Sequence, residues 1–185
     1  MPGPDRIEGL AIVSDDGMIA DAHGIQPDVL KLEADQKFFH ARLDRAGALV
    51  HGRYSGEGGP DAARRRRLIL TTRVAALAHD PSTEHAVLWN PTGATLDEAW
   101  SMLGLSGGLL VVIGGTEPFG LFLERGYDVF HLSRARHAHL PGGRPVFPGV
   151  PQSTPEALLA AHGLKPDPQQ VLDGPAGLTL VTWRR

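Results

Sequence analysis

A carboxylate set among apolar residues at helical spacing is the first place where this chain could do chemistry. On a helix expected from about Asp28 to Arg45, Leu32, Phe38 and Phe39 fall one turn before or after Asp35 and share its face. A carboxylate there is costly unless it is paired, protonated or set in a cleft. The residues leave two readings open: a boundary group tied to an amide or an arginine, or an acid placed in a site. A second candidate follows the apolar run GGLLVVI, residues 107–113, which meets Gly114-Gly115-Thr116 at once. In open α/β sheets ligands bind beyond the carboxyl ends of strands, and phosphates sit on amides opening the next helix. A tight turn accounts for two glycines equally well, and the fingerprint G-x-G-x-x-G does not occur. Gly52-Arg53-Tyr54-Ser55 and Thr71-Thr72-Arg73 follow two further strand-like runs, each with hydroxyls, amides and an arginine. Arginine recognises phosphate through a planar fork. Three such sets after three strands suggest an anionic cofactor lying across the sheet edge.

Other groups point less sharply. Arg64-Arg65-Arg66-Arg67 stands in a chain of formal net charge −3 and has no interleaved aromatic residues. It reads as a solvated loop entering a strand, or as recognition of an anionic tail or phosphate, and not as a nucleic-acid face. His137 and His139, with His131 upstream, have an H-x-H spacing but no companion carboxylate at a diagnostic distance, so no metal is expected. Ser133 ends a strand without a G-x-S-x-G elbow, which disfavours hydrolysis. With no cysteine, disulfides, thiolate metal sites and thiol nucleophiles are excluded.

The elements that must hold these residues alternate along the chain. Strands are expected at 7–14, 48–51, 68–72, 86–90, 107–113 and 127–133. Helices are expected at 28–45, from a Thr95 cap with Glu98 completing a capping box, and at 117–125. Gln170–Asp173 and Leu178–Trp183 read as a closing antiparallel hairpin around Gly174-Pro175-Ala176-Gly177, and 141–155 as a long surface loop. Strand–helix alternation means an α/β architecture: a mostly parallel sheet of about eight strands, flanked by helices, in one domain spanning 1–185. Gly 23 and Pro 15 make up about a fifth of the 185 residues, against about 12% on average. At 42% apolar residues the chain can bury a core, so those glycines belong to turns or to close backbone contacts. Neither a membrane-length apolar run nor a signal-peptide layout is present, so a cytoplasmic protein without membrane partners is expected; both a monomer and a homodimer stay open.

Taken in order, these residues resemble the dihydrofolate reductase family over almost the whole chain. Asp16-Gly17-Met18-Ile19-Ala20 resembles the turn from that family's first strand into its mobile loop. Ala34-Asp35-Gln36-Lys37-Phe38-Phe39 resembles the helix with the single active-site carboxylate, and His51-Gly52-Arg53-Tyr54-Ser55 the G-R-x-[ST] phosphate turn. Val112-Ile113-Gly114-Gly115, followed by a helix with Phe119, resembles the glycine pair that carries a cis peptide against the cofactor. Phe147-Pro148 resembles the T-x-F-P segment.

The resemblance implies a dihydrofolate reductase-like three-layer fold and NADPH as cofactor. It further implies hydride transfer to a C=N bond of a pterin, most directly 7,8-dihydrofolate to tetrahydrofolate. Asp35 would hold the amino-pyrimidine edge and assist protonation, beside Ser133. Leu10, Ile12 and Phe39 would line the substrate pocket, and Arg65 would grip an acidic tail. Ala11, Ile19, Gly52, Arg53, Ser55, Thr71, Thr72, Arg73, Ile113, Gly114, Gly115, Thr116 and Phe119 would hold NADPH. His23-Gly24-Ile25-Gln26-Pro27 lacks the family's loop tryptophan, and Phe119 stands where a tyrosine is usual. Asp16-Gly17-Met18-Ile19-Ala20 and the glycine pair equally resemble the riboflavin-biosynthesis reductase branch, which reduces a ribosylamino-pyrimidine phosphate. A nucleotide-binding module without turnover is the reading from another class.

Overall fold

The computed structural model describes residues 2–185. Strand β1 (Arg6–Ser14) turns at Gly17 into the short β2 (Met18–Ala20). After a 3-10 turn at Asp28–Leu30 come α1 (Glu33–Leu43), β3 (Ala48–Gly52), β4 (Arg67–Leu70), β5 (Leu77–His79) and β6 (Ala86–Trp89). Then follow α2 (Leu96–Met102), β7 (Leu109–Gly114), α3 (Thr116–Arg125), β8 (Val129–Ala135), β9 (Arg144–Pro145) and α4 (Pro155–Ala161). The chain closes with β10 (Lys165–Pro166), β11 (Gln170–Asp173) and β12 (Leu178–Arg184).

One ten-stranded sheet runs in the order β10-β12-β8-β1-β7-β3-β4-β6-β5, with β11 also paired to β12. From β8 to β6 every neighbour is parallel, while β12, β5, β10 and β11 pair antiparallel. The sheet exceeds the expected eight strands because β5 and β10 are too short to leave a run of alternating residues. β2 and β9 form a separate two-stranded ribbon.

Alternation along β1 sorts side chains into two layers. Leu10, with Leu49 and Val111, packs under α1 together with Leu43, Phe38 and Phe39. Ala11 and Val13 face the opposite layer, where Trp100 of α2, Phe119 and Phe122 of α3, Phe130 and Phe147 are buried. There Tyr127 stands 5.0 Å from Phe130, and Phe147 lies 5.2 Å from Phe130, centroid to centroid. Gly9 makes that packing possible, since a Cβ at its position would fall 2.2 Å from the Phe130 ring.

The structure departs from the sequence expectations at two local points. Asp28 does not cap a helix reaching Arg45: α1 starts at Glu33, behind Leu32, with no side-chain cap. Its helix is therefore held by packing rather than by a terminal signal. Segment 141–155 is not simply a surface loop, because Arg144–Pro145 pairs with β2 and Val146 and Phe147 are fully buried. Its prolines and glycines hid an apolar pair that completes the aromatic layer. The Thr95–Glu98 capping box forms as expected, and so does the hairpin of β11 and β12.

Candidate functional site

Three strand ends and one helix converge at the carboxyl edge of the sheet, beside the place where the strand order reverses around β1. A cavity of about 310 Å³ opens there. Leu10, Ala11, Ile12, Ile19, Asp35, Phe39, Ser55, Ile113, Gly114, Gly115 and Phe119 all line it.

Asp35 is only 7% exposed, in the first turn of α1. Burial pushes its carboxyl up to about 6, and the neighbouring Ser133 offsets a part of that rise. Ser133 lies on β8 opposite Ile12 of β1, beside Asp35. No hydrogen bond of ordinary geometry reaches its fully buried Oγ. Asp35 is therefore neither the boundary group tied to an amide nor one tied to an arginine. It is a buried acid whose burial favours the protonated form.

The glycines supply close backbone approach. β3 and β7 pair in parallel, with a register shift that sets His51 against Gly114 and brings their following turns together. A Cβ on Gly52 would lie 3.7 Å from Ser55 Oγ and 3.8 Å from the Gly115 amide nitrogen. On Gly115 it would lie 3.2 Å from Ser55 Oγ. Gly114 has φ +121° and rests on the Phe119 ring, and the Gly114–Gly115 peptide is cis. Gly115 is also the N-cap of α3 and provides no side-chain cap, so the first amides of that helix face outward unpaired by side chains.

The remaining sequence candidates lie outside the cavity lining. Arg53 stacks on Tyr54 with 4.9 Å from guanidinium to ring centroid. Thr71 is buried and its Oγ1 accepts from the Arg73 amide, while Thr72 and Arg73 are exposed beyond β4. Thr116 donates to the Pro145 carbonyl, tying α3 to β9. Arg65 donates to Asp44 at 2.7 Å. His131 bonds Glu8 at 3.0 Å and Thr182 at 3.2 Å inside the sheet. Burial would raise the Glu8 carboxyl, but hydrogen bonds from His131 and Arg6 hold it down at about 2. Among the described residues no group of three or more His, Asp or Glu converges as a metal site would.

Several lining residues had been given no role from the sequence: Gln36, His40, Gly56, Glu57 and Gly58. Gln36, Phe39 and His40 stand one turn apart on α1, so helical spacing from Phe39 was the available signal. Glu57 had none. Its side chain is 1% exposed and accepts from Arg67 at 2.8 Å, while Arg67 also donates to His51 at 3.1 Å. Burial would raise Glu57, yet Arg67 holds it below the usual carboxylate range. Burial, with Arg67 adding to it, holds His51 below the usual imidazole range. The arginine run is thus mostly consumed internally: Arg64 pairs with Asp61, Arg65 with Asp44, and Arg67 with Glu57. Arg67→Ala would leave the buried Glu57 carboxylate with no hydrogen-bonded cation and only Arg65 at 3.7 Å, and a loss of about 3 kcal/mol in denaturant unfolding is expected. Adding Glu57→Gln should restore a part of it; a stability change under 1 kcal/mol in the single variant, within the usual range for surface pairs, would contradict the pairing.

A scan against protein-family models finds no match, and no curated protein matches by sequence. Solved structures do match. A putative riboflavin biosynthesis protein from Shewanella sp. PV-4 is 22% identical with TM-score 0.66, covering 97% of this chain and 98% of its own. Dihydrofolate reductase from Enterococcus faecalis, complexed with NADP(H), is 17% identical with TM-score 0.64, covering 100% and 99%. The deaminase/5-amino-6-(5-phosphoribosylamino)uracil reductase from Thermotoga maritima is 18% identical with TM-score 0.64, covering 98% of this chain and 56% of its own. At these identities the likeness establishes the fold: the chain has the dihydrofolate reductase-like architecture. No helix among the described residues is long and apolar enough to cross a membrane.

Proposed function

We propose that this chain is an NADPH-dependent reductase passing a hydride to a C=N bond of a pterin, with 7,8-dihydrofolate to tetrahydrofolate the first reaction to test. The observation that carries the reading is Asp35, a carboxyl buried without a cationic partner, and so pushed up to about 6, in a cavity reaching the glycine-bearing strand ends. An aminopyrimidine ring suits such a place. Its flat faces pack on Leu10, Ile12 and Phe39, and its amino and ring N–H groups donate to one carboxylate. Asp35 holds that edge when ionised and, when protonated, carries the proton that the ring nitrogen must gain. Ser133 stands beside Asp35 with a buried hydroxyl that has no other partner, free to donate to the carboxyl and orient it.

The residues also fit a dinucleotide phosphate. Gly52 and Gly115 leave backbone open, a Cβ on Gly115 would crowd Ser55, and the uncapped start of α3 offers amides to an anion. Arg53 after β3, and Thr72 and Arg73 after the adjacent β4, are the candidates for the extra phosphate, with Thr71 beside them. When bound, NADPH supplies the hydride. Phe119, buried behind Gly114, and Ile19 then shield the reacting faces from water.

The test is nicotinamide absorbance with dihydrofolate as substrate. Dihydrofolate-dependent oxidation is expected. NADPH binding without oxidation across pterins, pyrimidines and aldehydes would replace the reading with a nucleotide-binding module. The likeness to riboflavin-pathway proteins favours one second reading, reduction of a ribosylamino-pyrimidine phosphate. Antifolate binding separates the two: tight, NADPH-enhanced binding supports the pterin, and none supports the pyrimidine.

A further inference from the structure

The wall of the cavity sorts by depth. Its buried members are apolar apart from Asp35 and Gly114, whereas every exposed member is polar or glycine: Gln26, Gln36, His40, Tyr54 and three glycines. Two of the exposed side chains stand on α1. Gln36 follows Asp35 and His40 follows Phe39, so the pair forms the next row along the helix, one turn apart and open to solvent. The loop after β3 adds main chain. Gly56, Glu57 and Gly58 belong to no helix or strand, and among the described residues none of their peptide groups bonds another backbone group. Gly56 and Gly58 have no side chain to cover that backbone. The Glu57 side chain is 1% exposed and held by both nitrogens of the Arg67 fork. No lysine or arginine lines the cavity, and the one exposed aromatic ring, Tyr54, has a face taken by the Arg53 guanidinium.

We infer that the mouth of the cavity is a subsite for an uncharged, hydroxylated chain carried by the heterocycle, with Gln36 and His40 as its side-chain contacts. This rests on the pterin reading above and deepens it by naming the substituent. The mouth offers an amide, an imidazole and free peptide groups, which are donors and acceptors side by side. A hydroxyl both donates and accepts, so a chain of hydroxyls can answer each of them. A phosphate only accepts, and it finds no guanidinium or ammonium on this wall. An aryl group would lay apolar surface over polar groups and leave them without partners.

The experiment uses calorimetric titration of the full chain with four probes: 6-methylpterin, neopterin (the same ring with a trihydroxypropyl chain), neopterin phosphate and folic acid. Neopterin should bind about tenfold more tightly than 6-methylpterin, the scale of one or two net hydrogen bonds. Neither the phosphate ester nor folic acid should bind more tightly than neopterin. Gln36→Leu combined with His40→Leu keeps good helix formers at two exposed positions. It should bring neopterin to within about threefold of 6-methylpterin, with 6-methylpterin itself losing at most about twofold. A neopterin advantage under about threefold in the unmodified protein, an equal loss for both ligands in the variant, or tighter binding of the phosphate ester or folic acid overturns the subsite and leaves the pterin reading in place. Failure of all four probes to bind the unmodified protein overturns the pterin reading, and this inference with it.

Discussion

Asp35→Asn is expected to lower dihydrofolate turnover by about 10²- to 10⁴-fold while NADPH still binds, the range for removing a positioned acid–base group. The amide keeps the volume and one hydrogen-bonding oxygen but can neither ionise nor pass on a proton. The same substitution should stabilise the fold. Moving a buried carboxyl from its ordinary 3.8 to about 6 corresponds to about 3 kcal/mol held against the ionised form. Since the folded value is the higher one, the relative stabilisation is complete below 3.8 and is lost as pH rises through about 6. Asp35→Asn should therefore unfold at higher denaturant concentration than the unmodified chain at pH 8 and at nearly the same concentration at pH 4. In the unmodified protein, turnover should fall about tenfold per pH unit above 6, as the carrier of the proton empties. Unchanged turnover in the variant removes Asp35 from the chemistry. Unchanged stability at pH 8 contradicts its burial as an acid.

Gly115→Val is expected to weaken NADPH binding about 100-fold or more, read by fluorescence titration, with the fold retained by circular dichroism. The reason is local crowding. A Cβ at Gly115 already lies 3.2 Å from Ser55 Oγ and 3.9 Å from Ile19, and two γ-methyl groups extend from there into the cavity. They cover the backbone at the head of α3, where an anion would meet the amides. Ser55→Ala in the same background relieves the nearest contact and should recover only part of the affinity, because the methyl groups still occupy the cavity. Undiminished NADPH binding by Gly115→Val would mean that the cofactor does not approach this turn.

Elements with strong local signals were legible from the residues alone. Thr95 and Glu98 satisfy each other's amides within four residues, and β11 and β12 close around a glycine-containing turn. These are short-range interactions, so they are written in consecutive residues. α1 was legible only as a helix. Its true start lacks a capping side chain, and Asp28 belongs to a separate 3-10 turn. Phe147 was picked out from the sequence, but its burial was not, because its reason to be buried lies in Phe130 and Phe119, distant along the chain.

The candidate site divides in the same way. By itself the sequence determined the α/β alternation, the lone carboxylate on an apolar helix face and the glycines after strands, since each depends on local periodicity or on one residue's backbone freedom. Only the tertiary structure decided that Asp35 is buried without a cationic partner, because its environment is assembled from β1, β8 and α1. Arg64 meets Asp61 only three residues away, but only the tertiary structure decided that Arg65 and Arg67 are spent on Asp44 and Glu57, because those pairings act through space and not along the chain. A run of four arginines therefore proclaims a positive patch in sequence, and folding neutralises most of it with carboxylates brought in from elsewhere.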